Sequence, residues 1–135
     1  MEIRFQLVAL DCPDPVALAR FYGALLDREL VIDDGDDPLE PEWVDLASDG
    51  GPTLAFQRVD HYVAPTWPDG PVPQQLHLDF LVDDLLDGEA RAIALGATLA
   101  AHQPGRDFRV FLDPAGHPFC LVRAGAATEG APPHP

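Results

Sequence analysis

The sequence predicts an α+β fold of two βαβββ modules related by a pseudo-twofold axis, with mixed sheets curled into a cup and helices outside. Three observations predict it. Strand-like runs at 3–12 and 75–82 each lead directly into an Asp-capped helical pattern. Each helix is followed by three short strand patterns in the same order. Between the halves, the stretch 60–74 (DHYVAPTWPDGPVPQ) is Pro-rich and interrupts regular structure.

The elements follow in chain order. Residues 3–12 (IRFQLVALDC) alternate as a strand, and Pro13 stops it. Asp14 caps a helix whose first residue, Pro15, suits the first helical position. Leu18, Phe21, Tyr22 and Leu25 place an apolar stripe on one face, and the helix ends near Asp27. Strands are predicted near 29–33, 43–47 and 53–59, with the acidic stretch 33–42 (DDGDDPLEPE) as a loop. In the second half, 75–82 is a strand. Asp83 or Asp84 caps a helix through about Leu95, and Gly96 fits the left-handed residue that ends it. Strands near 97–101, 107–112 and 118–123 complete the repeat. The expected organisation is one domain over 1–123, with module one at 1–59, a linker at 60–74, module two at 75–123 and a flexible tail at 124–135.

A βαβββ unit leaves one sheet face without its helix. Two such units can curl those faces into a shared cup, where small-molecule chemistry would sit.

Charge narrows the partners. With 23 acidic against 8 basic residues, the net charge is −15. A general nucleic-acid binder needs a basic footprint, and an anionic membrane repels such a chain, so neither is expected. No apolar run approaches the ~20 residues that span a bilayer. The start lacks a signal-peptide layout, and two cysteines make no disulfide framework, so a reducing cytoplasm is the expected location. Six of the acids, Asp33 to Glu42, read as a solvated edge. All eight basic residues are Arg, so no lysine Schiff base is available.

The motifs LDCPDP (10–15), LAFQRV (54–59), PTWPDG (65–70), PQQLHLDF (73–80) and DPAGHPFCL (113–121) resemble those of the vicinal oxygen chelate superfamily. This is the glyoxalase/bleomycin-resistance/dioxygenase fold, and the chain is most similar to its glyoxalase-like domain branch. The resemblance spans residues 5–123. It implies a small-molecule ligand and commonly a homodimer. In metal-dependent members each module supplies one ligand from its first strand and one from its last. Carried onto this chain, those positions are Leu7, Ala55, His77 and Cys120. Leu and Ala cannot ligate, so no cofactor is expected. A divalent metal remains an alternative through His77 with Asp79 or Cys120. A one-residue slip of the first strand would put Gln6 in the cup in place of Leu7.

The candidate catalytic residues are His77 and Asp79. They share a strand face, and the acid could set the tautomer of the imidazole. His77 reads as a base, a ligand contact, a metal ligand or a structural histidine. Asp11 falls on the cup face of the first strand by parity. Cys120 is a nucleophile only if a cation lowers its pKa, and otherwise a small core residue; Cys12, of opposite parity to Leu7, is inert core. Leu7, Ala55, Gln57, Trp67, Arg109, Phe111 and Cys120 are the candidate pocket set. Trp67 is either a lid or a plug of the core. Arg109 anchors a carboxylate or enolate if its strand face is the cup, and is a surface residue if not. Three functions follow: a metal-independent lyase or isomerase, a sequestering protein of the bleomycin-resistance type, or a divergent metalloenzyme using His77.

Overall fold

The computed structural model describes residues 1–125, so the predicted tail from 126 onward lies outside the described residues. The chain divides into two compact units, Met1–Tyr62 and the segment from Val63 onward. The first contains β1 (Leu7–Cys12), α1 (Pro15–Leu26), β2 (Leu30–Val31), β3 (Trp43–Leu46) and β4 (Thr53–Arg58). The second contains β5 (Leu78–Val82), α2 (Leu85–Leu95), β6 (Thr98–Leu99), β7 (Phe108–Leu112) and β8 (Pro118–Arg123). The four-stranded sheets have matching orders, β1-β4-β3-β2 and β5-β8-β7-β6. In each, the first strand pairs in parallel with the last, and the other pairs are antiparallel. Parallel pairing needs a crossover, which the helix contributes to. Among the described residues, no helix is long and apolar enough to cross a membrane.

Both helices begin where short acidic side chains can satisfy their first N–H groups. Asp14 Oδ1 accepts from Ala17 N at 3.2 Å. Asp84 Oδ1 accepts from Leu86 N at 2.8 Å and Asp87 N at 3.0 Å. Gly96 ends α2 with φ 119°, a conformation that costs a glycine little. The first strand is shorter than its alternation predicts. Its partner β4 begins at Thr53, opposite Leu7, and Gln6 O accepts from Thr53 N at 3.2 Å just before the strand begins.

Each helix covers one face of its own sheet. In the first unit, Tyr22 of α1 stacks on Phe56 of β4 with ring centroids 5.7 Å apart. Strand parity then places Leu54 and Phe56 on the helix face and Thr53, Ala55 and Gln57 on the opposite face. In the second unit the contact is closer. A Cβ added to Gly88 of α2 would lie 3.0 Å from Leu121 Cδ1 and 3.2 Å from Val82 Cγ1. Glycine there lets the helix settle on β5 and β8. Phe119 joins this layer, stacked on Phe111 at 5.3 Å and edge-on to Phe80 at 6.1 Å.

Two loop expectations change. The acidic loop is more than a solvated edge: Asp36 Oδ2 accepts from Glu42 N at 2.9 Å and Trp43 N at 3.2 Å, and Asp33 Oδ1 accepts from Gly35 N at 2.9 Å. Its carboxylates satisfy backbone donors that no strand takes. The Pro-rich stretch joins the second unit from Val63 onward and is tied by Thr66. Thr66 N and Oγ1 both donate to Val72 O, at 2.6 and 3.0 Å.

Asp113 holds the turn before β8. It is 4% exposed, and its Oδ1 accepts from Ala115 N at 2.8 Å and His117 N at 3.0 Å. Asp113→Ala is therefore expected to lower unfolding free energy by about 2–3 kcal/mol, since buried N–H groups lose a charged acceptor. Denaturant unfolding of the two proteins checks this, and a loss below ~0.5 kcal/mol would show that the turn does not depend on the carboxylate.

Candidate functional site

Pairing register decides which side chains meet. Asp79 of β5 lies directly opposite Cys120 of β8, and Cys120 lies opposite Val110 of β7. Directly paired residues project from the same side of a sheet. Leu121 faces α2, so Cys120, Asp79 and Val110 face away from it. His77 immediately precedes β5, two residues before Asp79, and its Nε2 lies 3.4 Å from Asp79 Oδ1. Ligand-type atoms of His77, Asp79 and Cys120 all fall within 4.8 Å of one another. His77 is half-buried, Asp79 more open and Cys120 buried, so the cluster runs from a dry floor to an accessible rim.

Asp79 is the centre of the cluster. Burial pushes the Cys120 thiol up to about 12, and the Asp79 charge and a hydrogen bond to Asp79 push in the same direction. An ionised thiol would sit in a dry floor beside an anion, so Cys120 keeps its proton at neutral pH. The nucleophile reading needed a cation to lower that pKa. Arg109 does not supply it.

Arg109 and Phe111 are turned to the other face. Arg109 is paired with Leu121, and its Nε lies 3.7 Å from Glu89 Oε2 on α2. Phe111 is paired with Phe119 and stacks on it. Both were candidate pocket residues. The β7–β8 register places them with the helix, while Phe108 and Val110 take the opposite face beside Cys120. Phe108, Val110, Cys120, Val122 and Ala100 form one buried apolar cluster, and Trp67 packs against it. Trp67 also lies 5.6 Å, centroid to centroid, from His102.

The remaining candidates lie in the first unit. Leu7, Ala9 and Asp11 are paired with Thr53, Ala55 and Gln57. All six share the face opposite α1, because Leu10 and Cys12, of the other parity, are buried. Leu7, and not Gln6, is therefore the β1 residue on that face, and Cys12 is core, its Sγ 3.5 Å from Gln57 O. Trp43 and Asp45 join the same face, paired with Gln57 and Ala55. Trp43 Nε1 donates to Asp45 Oδ1 at 2.9 Å. Sequence reasoning missed this pair. The alternation of WVDL was visible, but its side required the β3–β4 register. A cleft of about 770 Å³ beside the N-terminal segment touches Leu7, Asp45 and Thr53 and none of the His77 cluster.

The metal set implied by the resemblance does not fit these residues. Leu7 and Ala55 carry no donor atom. What the second unit does assemble is an imidazole, a carboxylate and a thiol on one sheet face.

Two βαβββ modules with matching strand orders define a fold of the glyoxalase type. The family model described as glyoxalase-like domain matches residues 7–122, and the chain belongs to that family. A glyoxalase/bleomycin resistance protein/dioxygenase family enzyme from Burkholderia phytofirmans PsJN has a similar structure. Its TM-score is 0.66 at 18% identity, over 90% of this chain and 98% of that one. Fosfomycin resistance protein FosX from Mesorhizobium loti gives 0.67 at 20% identity, over 96% and 97%. The oxidase ChaP-H2 gives 0.60 at 20% identity, over 96% and 100%. No curated protein matches the chain. At such identities the likeness establishes the fold, and the named chemistries differ from one structure to the next.

The thiol makes a direct test. With a pKa of about 12, its ionised fraction at pH 8 is about one in ten thousand. Cys120 is expected to resist iodoacetamide at pH 8. Asp79→Asn is expected to speed its alkylation several-fold, because it removes the charge that raises the pKa. Peptide mass spectrometry follows Cys120, with Cys12 as internal control; equal rates would show that Asp79 does not act on the thiol. The folded thiol keeps its proton above the ordinary value of 9.0, so its contribution to stability is complete below pH 9 and is lost as pH rises toward 12.

Proposed function

We propose that the protein is a small-molecule enzyme of the lyase or isomerase type that moves a proton through His77 and does not use the family's metal set. The observation that supports this is the 3.4 Å approach of His77 Nε2 to Asp79 Oδ1. With Nε2–H directed at the carboxylate, the basic lone pair resides on Nδ1. Asp79 is then a positioning residue, held from its other side by the Cys120 thiol. It orients the ring and stabilises the imidazolium that forms on proton uptake. A carbon acid next to a carbonyl is the substrate class that suits one neutral base: the proton goes to Nδ1 and returns to the same or the neighbouring carbon. Leu81 and Val110, on the same face, give the reacting carbon an apolar surround.

The test is hydrogen–deuterium exchange, followed by proton NMR, on a panel of hydroxyketones and 2-oxo acids in heavy water. Exchange above the buffer rate is expected, falling at least about a hundredfold in His77→Gln, since general-base catalysis contributes 10²–10⁴-fold. Asp79→Asn is expected to retain part of the rate. A panel with no exchange, or exchange untouched by His77→Gln, overturns the reading.

A binding role without turnover is the second reading, and Trp43 favours it. Its indole is fixed by Asp45 on the face that also carries Asp11 and Gln57. Two carboxylates beside an aromatic ring suit a cationic, partly planar ligand, and cation–π contact adds ~0.5–2 kcal/mol. Titration with a cationic glycopeptide is expected to quench tryptophan fluorescence in a saturable way. Trp43→Phe is expected to abolish the quench, while Trp67→Phe retains it. A flat response excludes that ligand class.

A further inference from the structure

We infer that His77, Asp79 and Cys120 form a three-donor site for a thiophilic divalent ion of the zinc class, built entirely within the second module. Two donors, His77 and Cys120, stand at positions of the set implied by the resemblance; the third, Asp79, does not, and no donor comes from the first module. The inference goes beyond the proton-transfer reading and does not depend on turnover.

Geometry carries it. Donors around a tetrahedral ion at 2.0–2.3 Å lie about 3.4–3.8 Å from one another. The His77–Asp79 approach is already 3.4 Å, and the whole set falls within 4.8 Å. Closing the remaining gap takes about 1 Å of side-chain movement, which χ rotation of His77 and Asp79 at the rim can supply. Two of the donors are on directly paired residues, Asp79 and Cys120, so the strand register fixes their spacing. Neither His77 nor Asp79 is fully buried, which leaves the fourth position facing outward, the arrangement of an ion that keeps an exchangeable ligand.

Donor chemistry sets the ion. A thiolate with an imidazole selects zinc, cobalt or nickel over magnesium, calcium or manganese, which prefer all-oxygen shells. Binding replaces the S–H bond of Cys120 by a sulfur–metal bond, and the proton leaves to solvent. Asp79 keeps its carboxylate, exchanging the thiol proton for the ion. An ion here occupies the His77 ring, so the metal-bound and proton-transferring states exclude each other.

Cobalt(II) is the probe, added to the full chain after dialysis against chelator. Saturation at one ion per chain is expected, with a near-ultraviolet sulfur-to-cobalt charge-transfer band and visible absorption of tetrahedral intensity. Zinc should displace cobalt, and magnesium should not. Cys120→Ser is expected to remove the charge-transfer band. Asp79→Asn and His77→Gln are expected to keep the band and weaken binding at least about tenfold. Cys120 is buried, so circular dichroism checks the fold of its variant. The two rim variants keep the test decisive if that variant does not fold. No band at saturating cobalt, a band that survives Cys120→Ser, or affinity unchanged in both rim variants overturns the inference. Because the readout is metal absorption, its failure is separate from failure of the exchange assay.

Discussion

One helix covering one face of each sheet is the constraint on which the rest depends. Side chains alternate along a strand, so the helix divides every strand into a packed set and an opposite set. Tyr22 on Phe56 marks the packed side of the first sheet. Gly88 against Leu121 and Val82 marks that of the second. Once those sides are fixed, the pairing registers assign every other residue. The His77 cluster exists because Asp79 and Cys120 are paired on the side that α2 leaves.

The two modules share a topology and differ in what that side carries. The row Ala9–Ala55–Asp45 in the first sheet corresponds to Asp79–Cys120–Val110 in the second. In the first module the polar group is at the β3 end of the row; in the second it is at the β5 end. The consequence is chemical asymmetry. The second module gathers an imidazole, a carboxylate and a thiol, while the first presents an indole hydrogen-bonded to a carboxylate. Asp79 binds the second set together, because it faces His77 on one side and Cys120 on the other. Burial pushes the thiol up and the Asp79 charge adds to it, while Asp79 Oδ1 lies 3.4 Å from the imidazole, so one carboxylate adjoins both partners.

Much of the architecture was legible along the chain because the signals are local. Helix caps at Asp14 and Asp84, the terminating Gly96 and the alternation of each strand depend on neighbours a few residues away. Parity alone put Leu7 and Cys12 on opposite sides of one strand, and the burial of Leu10 and Cys12 then told which side is which. Arg109 and Phe111 were the opposite case. Parity showed that they share a side, but naming the side needed the β7–β8 register, in which Arg109 is opposite Leu121 and not Cys120. Trp43 and Asp45 escaped notice for the same reason. The acidic loop was read as solvated because charge implies exposure on average. Five of its six acids are indeed exposed; what the reading lacked is that Asp33 and Asp36 also accept from backbone N–H groups of the loop.

The sequence by itself determined the repeat, the element order, the absence of donors at positions 7 and 55, and the presence of Asp79 and Cys120 in strand patterns with His77 close before Asp79. These are statements about residue identity and short-range periodicity, which the chain carries without folding. Only the tertiary structure decided that the three meet, that the Cys120 thiol is buried beside Asp79, that Trp67 packs against a core cluster, and that Arg109 lies beside Glu89 of α2. Each of those depends on how one strand is registered against another. A shift of a single residue exchanges the two faces of a strand, and no local propensity penalises the wrong choice.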